Sequence, residues 1–363
     1  MPYELSDDEA LIEKMVAEFA QGQGLEAASD RDRHDQYPAD LVTQAAQLGL
    51  TGMGLPAEKG GAGVTAGAYA LALYELARVD PSAAAILASH NGMALRILAD
   101  HAVAPQLVAG EPGAYLATEE AGGSDKSRLT TLATPTDSGF SLTGRKTWGL
   151  GASGAKHFVV LAHVEEHGAS LFYVPANAEG ISLGHNEPLM GLRGAGIRTV
   201  YFDDVALPAD ALIGELGSGM AQYKAALPWM QIGTAAAILG GVAGAFDAAC
   251  RFAEDRVQFG EPIGKYQAVS DGVTNIDLQL AAGRALLLEA AASVEAGKDA
   301  VAQAARAKAF AAEMSIPMTR QAIRIQGGTG FMREGGTERF ARDVRALWFV
   351  GETPHMQRDQ IKR

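Results

Sequence analysis

The sequence has almost no cysteine and a deficit of positive charge. Cys250 is the single cysteine among 363 residues, which excludes an internal disulfide framework and a cysteine-rich zinc site. The chain has 30 lysines and arginines against 43 aspartates and glutamates, which gives a net charge of −13. That balance argues against a nucleic acid bound through its phosphates. It does not exclude a CoA or nucleotide ligand, which needs only a local basic cluster.

The first residues show no basic and apolar pattern, so we expect no leader at the N-terminus. These residues lead into Ser6-Asp7-Asp8-Glu9, which is the pattern of a capping box at the start of a helix. A long uncharged run at residues 229–246 has roughly the length of a membrane span. However, it is rich in alanine and glycine and leads directly into an amphipathic helix pattern. We therefore expect a buried core helix, no membrane span and a cytoplasmic protein.

The hydrophobic pattern divides the chain into three parts. Residues 1–113 place apolar side chains at i, i+3 and i+4, which predicts helices. Residues 114–213 form short alternating segments separated by turn signals such as Asp137-Ser138-Gly139, which predicts an antiparallel β-domain. Residues 214–363 return to long helical patterns. A parallel α/β fold would interleave these elements, so we expect an α+β multidomain protein.

Glycine-rich breaks interrupt the last helical part. A helical run ends at Gly327-Gly328-Thr329-Gly330, a charged segment follows, and a second break lies at residues 351–354. Glycine lets a backbone approach a ligand closely, although such a turn is also a common helix C-cap. The pattern suggests a site where helix ends meet a flat or phosphorylated ligand.

Two familiar motifs occur in contexts that do not suit their chemistry. Residues 149–154 match the G-x-G-x-x-G pattern, but a strand pattern follows where dinucleotide binding requires a helix. Residues 163–167 match the H-x-x-E-H zinc pattern, but they lie in a predicted hairpin rather than on one helix face. We interpret both as turns.

Several motifs, taken in order, resemble those of the acyl-CoA dehydrogenase family of flavoproteins, and the resemblance covers nearly the whole chain. These motifs are Ala117-Thr118-Glu119-Glu120 with Gly123-Ser124-Asp125, residues 144–148 (GRKTW), residues 190–194 (MGLRG), residues 256–260 (RVQFG) and residues 327–331 (GGTGF). The resemblance implies an N-terminal helical domain, a middle antiparallel β-domain and a C-terminal four-helix bundle. It also implies FAD bound between subunits.

The resemblance further assigns roles to residues. Those that would contact FAD are Thr118, Ser124, Trp148, Arg256, Phe259, Gln267, Arg324, Gly327, Gly328 and Thr353. In such proteins a glutamate removes the α-proton of a thioester while the β-hydride leaves to the flavin. The implied substrate is an acyl-CoA or acyl-carrier thioester. The implied electron acceptor is an electron-transferring flavoprotein, and the implied assembly is a homo-tetramer or a hetero-oligomer with a sister subunit.

The chain departs from the family pattern at three places. Residues 148–150 read Trp-Gly-Leu where the family has a flavin-binding hydroxyl after the tryptophan, and Arg324 replaces a glutamine. The catalytic Glu-Gly pair is here Gly351-Glu352. The position near Met230-Gln231, where some members carry the base, has no carboxylate. We therefore predict Glu352 as the catalytic residue.

Three hypotheses about function follow from these departures. The chain is an acyl-CoA dehydrogenase that uses Glu352 as its base. Alternatively, it is a base-lacking subunit of a heteromeric dehydrogenase, an arrangement that the family associates with bulky, steroid-like acyl chains. In the third hypothesis it keeps the fold and FAD but catalyses a different reaction, as an oxidase, a desulfinase or a monooxygenase.

Overall fold

The computed structural model describes residues 4–126, 128–298 and 300–362. The N-terminal part is helical, as predicted. Its elements are α1 (Asp7–Gln23), α2 (Leu25–His34), α3 (Ala39–Gln47), α4 (Ala66–Ala77), α5 (Pro81–Ser89), a π-helical segment (His90–Leu95) and α6 (Ala104–Val108).

Side-chain caps begin three of these helices, namely Ser6 before α1, Thr65 before α4 and Asp80 before α5. The Ser6 hydroxyl accepts a hydrogen bond from the Glu9 backbone, and the Glu9 carboxylate accepts one from the Ser6 backbone. The predicted capping box is therefore confirmed. The Asp80 carboxylate accepts a bond of 3.1 Å from the Ala83 backbone and begins α5, with Pro81 at the first helical position.

The middle part is one twisted sheet. Its strands are β1 (Gly113–Leu116), β2 (Leu132–Thr136), β3 (Gly139–Gly149), β4 (His157–Val164), β5 (Gly168–Pro175), β6 (Ile181–Asn186), β7 (Arg198–Pro208) and β8 (Leu212–Ile213). The order is β6-β7-β3-β2-β4-β5-β8, with β1 paired to β4. Most pairings are antiparallel, but β1 and β2 both run parallel to β4. These parallel pairings are possible because long connections, rather than hairpins, join both strands to β4.

The C-terminal part is a bundle of long helices. Its elements are α7 (Gly219–Asp255), a small hairpin of β9 (Val257–Gln258) and β10 (Glu261–Pro262), α8 (Gln267–Glu295), α9 (Val301–Gln326), α10 (Gly328–Phe331), α11 (Thr337–Leu347) and α12 (Pro354–Ile361). The predicted helix breaks are present, since α9 ends before Gly327 and α12 begins after Thr353.

Helix α7 is the central element of the protein. It packs against α4 and α5 of the N-terminal part and against α8, α9 and α11 of the bundle. Among the described residues it is the one helix long and apolar enough for a membrane span, but 83% of its most apolar window is buried inside the fold. The run at residues 229–246 is therefore a core helix, as predicted. Cys250, near the end of α7, is only partly buried.

Candidate active site

Glu352 lies in the turn between α11 and α12 and points into the protein. Its backbone is left-handed, with a φ of 73°. One carboxylate oxygen accepts a hydrogen bond of 2.8 Å from the Tyr223 hydroxyl on α7, and the other accepts one from the Gln360 amide on α12. Two different helices therefore fix the direction of this carboxylate.

Aromatic and basic groups lie near the carboxylate, since its charge acts on both Tyr115 and Lys126. Tyr115, on β1, stacks on Tyr223 with ring centroids 5.8 Å apart and an interplanar angle of 15°. The Lys126 ammonium lies 4.6 Å from the centre of the Tyr223 ring. The Tyr115 hydroxyl is buried and has no hydrogen-bond partner among the described residues. A buried hydroxyl without a hydrogen-bond partner lowers the stability of the fold. The Tyr115 hydroxyl therefore marks a place where a polar group of a ligand can bind.

The electrostatics of this site keep Tyr223 protonated. Burial and the neighbouring Glu352 carboxylate raise the pKa of Tyr223 well above its usual value. Burial also lowers the pKa of Lys126, and the charge of Glu352 offsets part of that effect. Tyr223 is therefore a permanent hydrogen-bond donor to the carboxylate.

Gly351 faces a different part of α7. A β-carbon placed there would lie 3.2 Å from the Thr234 hydroxyl and 3.5 Å from the Met230 side chain. Tyr223 precedes Met230 by seven residues, which is about 10 Å along a helix. The one-residue exchange of glycine and glutamate therefore moves the carboxylate along α7, away from Met230.

Thr118 and Trp148 are brought together by the sheet. The Thr147 backbone donates a hydrogen bond of 2.9 Å to the Thr118 carbonyl. Trp148 has a left-handed φ of 53° and is 55% exposed, and Leu150 is buried beside this turn. Ser124 is exposed on the loop that follows Thr118. Thr353, the residue before α12, is partly buried next to Glu352.

A second group of predicted residues lies at the far end of the bundle. Arg256 and Phe259 follow α7, Gln267 begins α8, and Arg324, Gly327 and Gly328 lie at the end of α9. The start of α8 adjoins the end of α9, because a β-carbon on Gly272 would meet the Gln321 amide. All six predicted residues are exposed, and Phe259 is 96% exposed.

Within one chain, the residues near Glu352 and the residues near Phe259 lie far apart. Tyr223 and Arg256 are separated by 33 residues of α7, which corresponds to about 50 Å along a helix. The residues near Glu352 and the residues near Phe259 therefore belong to two different surfaces of the same chain.

Sequence reasoning missed Tyr223, Gln360, Lys126 and Lys308. Lys308 carried a detectable signal, because a lysine at the centre of the apolar stripe of α9 contradicts the pattern around it. Tyr223 shares a helix face with Met230, since seven residues correspond to two helical turns. Gln360 and Lys126 had no such signal.

Comparison with known proteins gives a consistent family assignment across the chain. Residues 6–106 match the model of the N-terminal domain of acyl-CoA dehydrogenase. Residues 114–205 match that of the middle domain, and residues 217–363 match that of the C-terminal domain. All three matches occur in the family's own order.

Individual relatives cover almost the full length. The 3-(aryl)acrylate reductase of Clostridium sporogenes is 30% identical over 97% of this chain and 97% of its own. The butyryl-CoA dehydrogenase from Megasphaera elsdenii has a TM-score of 0.96 at 28% identity, covering 100% of this chain and 99% of its own. A chain from the structure of the electron transferring flavoprotein of Acidaminococcus fermentans gives the same TM-score, identity and coverage.

Proposed function

The chain belongs to the acyl-CoA dehydrogenase family of FAD-dependent oxidoreductases, and from this premise we propose that it dehydrogenates an acyl thioester with Glu352 as the base. The observation that carries the assignment of the base is the Glu352 carboxylate, which Tyr223 and Gln360 hold inside the protein. The Gly351 and Met230 positions carry no carboxylate.

The residues present fit FAD when two subunits contribute. Gly327 has a φ of 58°, which itself favours glycine, but nothing within the described residues requires Gly328, because an added β-carbon there would meet none of their atoms within 4 Å. Their bare, exposed backbone suits close approach by a ligand, and the exposed Arg256 supplies positive charge for a pyrophosphate. The exposed rings of Trp148 and Phe259 would pack on the cofactor.

Each residue near Glu352 has a distinct part in the reaction. The Glu352 carboxylate removes the proton from the α-carbon, and bound FAD supplies the acceptor for the hydride that leaves the β-carbon. Tyr223 orients the carboxylate, because its hydroxyl donates a hydrogen bond to one carboxylate oxygen. Tyr115 and Tyr223 exclude water from the carboxylate, which increases the effect of every charge in the site. The products are a thioester with a new carbon–carbon double bond and a protonated Glu352.

The separation of the two surfaces supports an assembly of several subunits. Because about 50 Å of helix lies between them, we propose an oligomer in which each FAD is held by Thr118, Ser124, Trp148 and Thr353 of one subunit and by Arg256, Phe259, Gln267, Arg324, Gly327 and Gly328 of another. We also propose an electron-transferring flavoprotein as acceptor, a cytoplasmic location, and domain boundaries at 113/114 and 213/214.

The first test compares the protein with its Glu352→Gln variant. The wild-type protein, expressed alone, is expected to carry near-stoichiometric FAD, and butyryl-CoA should bleach its visible absorbance without oxygen. Glu352→Gln should keep the FAD spectrum and lose about 10³-fold in bleaching rate, because it removes a general base. Glu58→Gln, in an exposed turn, is the matched control and should behave as wild type.

Two results would contradict this proposal. Full activity of Glu352→Gln would remove Glu352 from the mechanism. Little FAD in the protein expressed alone, restored only with a co-expressed sister chain, would support the base-lacking subunit instead.

A further inference from the structure

Lys308 is a fully buried lysine in α9 whose amino group reaches the turn that carries Glu352. Its exposed fraction is 0%, and its Nζ donates to the Trp348 carbonyl at 2.8 Å and to the Glu352 carbonyl at 2.5 Å. A buried amino group is costly unless its hydrogen bonds are satisfied. The two carbonyls therefore satisfy the buried amino group of Lys308, and its hydrogen bonds in return stabilise the conformation of the turn.

The surroundings of Lys308 suit an apolar residue rather than a lysine. The residues three and four positions before and after it share its helix face. They are Ala304, Ala305, Ala311 and Ala312, and all are fully buried. Burial lowers the pKa of Lys308 to about 7, and the charge of Glu352 offsets part of this effect. The ammonium and the neutral amine both have enough N–H groups for the two carbonyls.

The turn itself needs to be held. Gly351 and Glu352 are consecutive residues with left-handed backbones, with φ values of 67° and 73°. This conformation is unfavourable for a glutamate and persists only where the surroundings enforce it. Gln357, which is fully buried in α12, donates to the Gly351 and Glu352 carbonyls at 3.2 Å each. Lys308 and Gln357 thus hold the turn from two different helices.

We propose that Lys308 is a positioning residue for the base, because its two hydrogen bonds hold the left-handed turn that directs the Glu352 carboxylate toward Tyr223. The direction of a side chain follows from the backbone conformation at its own residue. When the turn relaxes, the carboxylate loses its contact with Tyr223. The inference rests on the proposed function only where it concerns catalysis. The hold on the turn is a separate claim.

The test uses the FAD-bound protein and two readouts. Lys308→Met keeps the length and apolar stem of the side chain and removes both donors. Amide hydrogen exchange in peptides covering residues 348–357 should become faster, while exchange in α8 should not change. With butyryl-CoA as the substrate, kcat should fall about 10²-fold with KM little changed, because the base is misplaced rather than removed. Lys14→Met, an exposed lysine on α1, is the control.

A double-mutant cycle separates positioning from stability. In a Glu352→Gln background, Lys308→Met should cause no further loss of kcat, because both changes act through one carboxylate. If Lys308→Met fails to fold, Gln357→Met tests the same turn from α12 and should speed the same exchange by a smaller factor. Faster exchange throughout the bundle, or an equal loss of kcat in both backgrounds, would overturn the proposal.

The two proposals fail separately. If Glu352→Gln alone keeps full activity, the proposed base is wrong, and exchange at residues 348–357 still shows whether Lys308 holds the turn. If that exchange is unchanged in both Lys308→Met and Gln357→Met, the positioning role is wrong whatever the base.

Discussion

His90 is a buried histidine whose two hydrogen bonds fix it as neutral. Its Nδ1 accepts a bond of 3.0 Å from the Gly113 backbone, so that nitrogen carries no proton. Its Nε2 lies 2.9 Å from the Thr51 carbonyl and therefore donates. Burial lowers the pKa of His90 to about 4, the bond to Thr51 offsets part of this, and the nearby His157 lowers it further. His90 thus joins the N-terminal helices to the start of β1 as a neutral ring.

Acid should destabilise the fold through His90. Its folded-state pKa of about 4 lies below the ordinary 6.5, so the unfolded chain binds more protons and stability is lost as pH falls from 6.5 to 4. The loss should be about 3 kcal/mol in the free energy of unfolding. His90→Gln keeps one donor and one acceptor without a titrating ring, so urea unfolding of this variant should show a weaker pH dependence. His185 is exposed, so His185→Gln is the control, and its free energy of unfolding should depend on pH as in the wild type. If the free energy of unfolding of His90→Gln also kept the wild-type pH dependence, His90 would not be the responsible group.

A buried ion pair joins the end of β1 to β3. The Glu119 carboxylate accepts bonds from Lys146 at 2.6 Å, from the Thr130 backbone and hydroxyl at 2.6 Å each, and from the Thr131 backbone at 3.0 Å. Burial alone would raise the pKa of Glu119, but the bonds from Lys146 and Thr130 lower it to about 2. The neighbouring Thr118 and Trp148 therefore sit on a segment that this pair fixes in place.

Breaking this pair should affect both stability and cofactor binding. Lys146→Met leaves the Glu119 charge buried without its partner, which should cost about 3–5 kcal/mol in the free energy of unfolding. The FAD content should fall as well, because the segment that contains Thr118 is no longer held by the ion pair between Glu119 and Lys146. Urea unfolding and visible absorbance measure the two effects.

The exposed pair of Lys59 and Asp100 is the matched control for this change. Lys59→Met should cost no more than about 1 kcal/mol, because water screens an exposed pair. The double variant Glu119→Gln/Lys146→Met should recover part of the lost stability. An equal cost for Lys146→Met and Lys59→Met would show that the buried pair has no special role.

At the scale of the whole molecule, the long central helix places large exposed aromatic rings far from Glu352. Phe259 is 96% exposed and Phe331 is 77% exposed, both near the end of the bundle. Phe259 also has a left-handed φ of 52° and contacts Tyr266 edge-on. Exposed rings held in a fixed conformation are typical of a surface that another molecule covers.

Removing one ring should therefore affect assembly without affecting the folding of the subunit. Phe259→Ala should lower the FAD content and the fraction of assembled oligomer, because little of the ring is buried within its own chain. Sedimentation velocity and FAD absorbance measure both quantities at several protein concentrations. Leu11→Ala, at an exposed position on α1, is the control. Unchanged assembly and full FAD content in Phe259→Ala would place the subunit contact elsewhere.

Much of the architecture could be predicted because its signals are local. The cap at Ser6, the start of α5 at Asp80 and the breaks after Gln326 and before Pro354 each depend on residues within a few positions. The parallel pairings of β1 and β2 with β4 could not be predicted, because pairing over such separations depends on the whole sheet.

The sequence by itself determined the order of helical, β and helical parts, the family and a few helix ends, such as the cap at Ser6 and the glycine breaks, because periodicity and turn chemistry are read over short stretches. Only the tertiary structure decided which side chains form hydrogen bonds with Glu352. Its partners Tyr223 and Lys308 lie 129 and 44 residues away in the chain. No local pattern specifies which side chains meet at that distance, since that depends on how three packed helices cross.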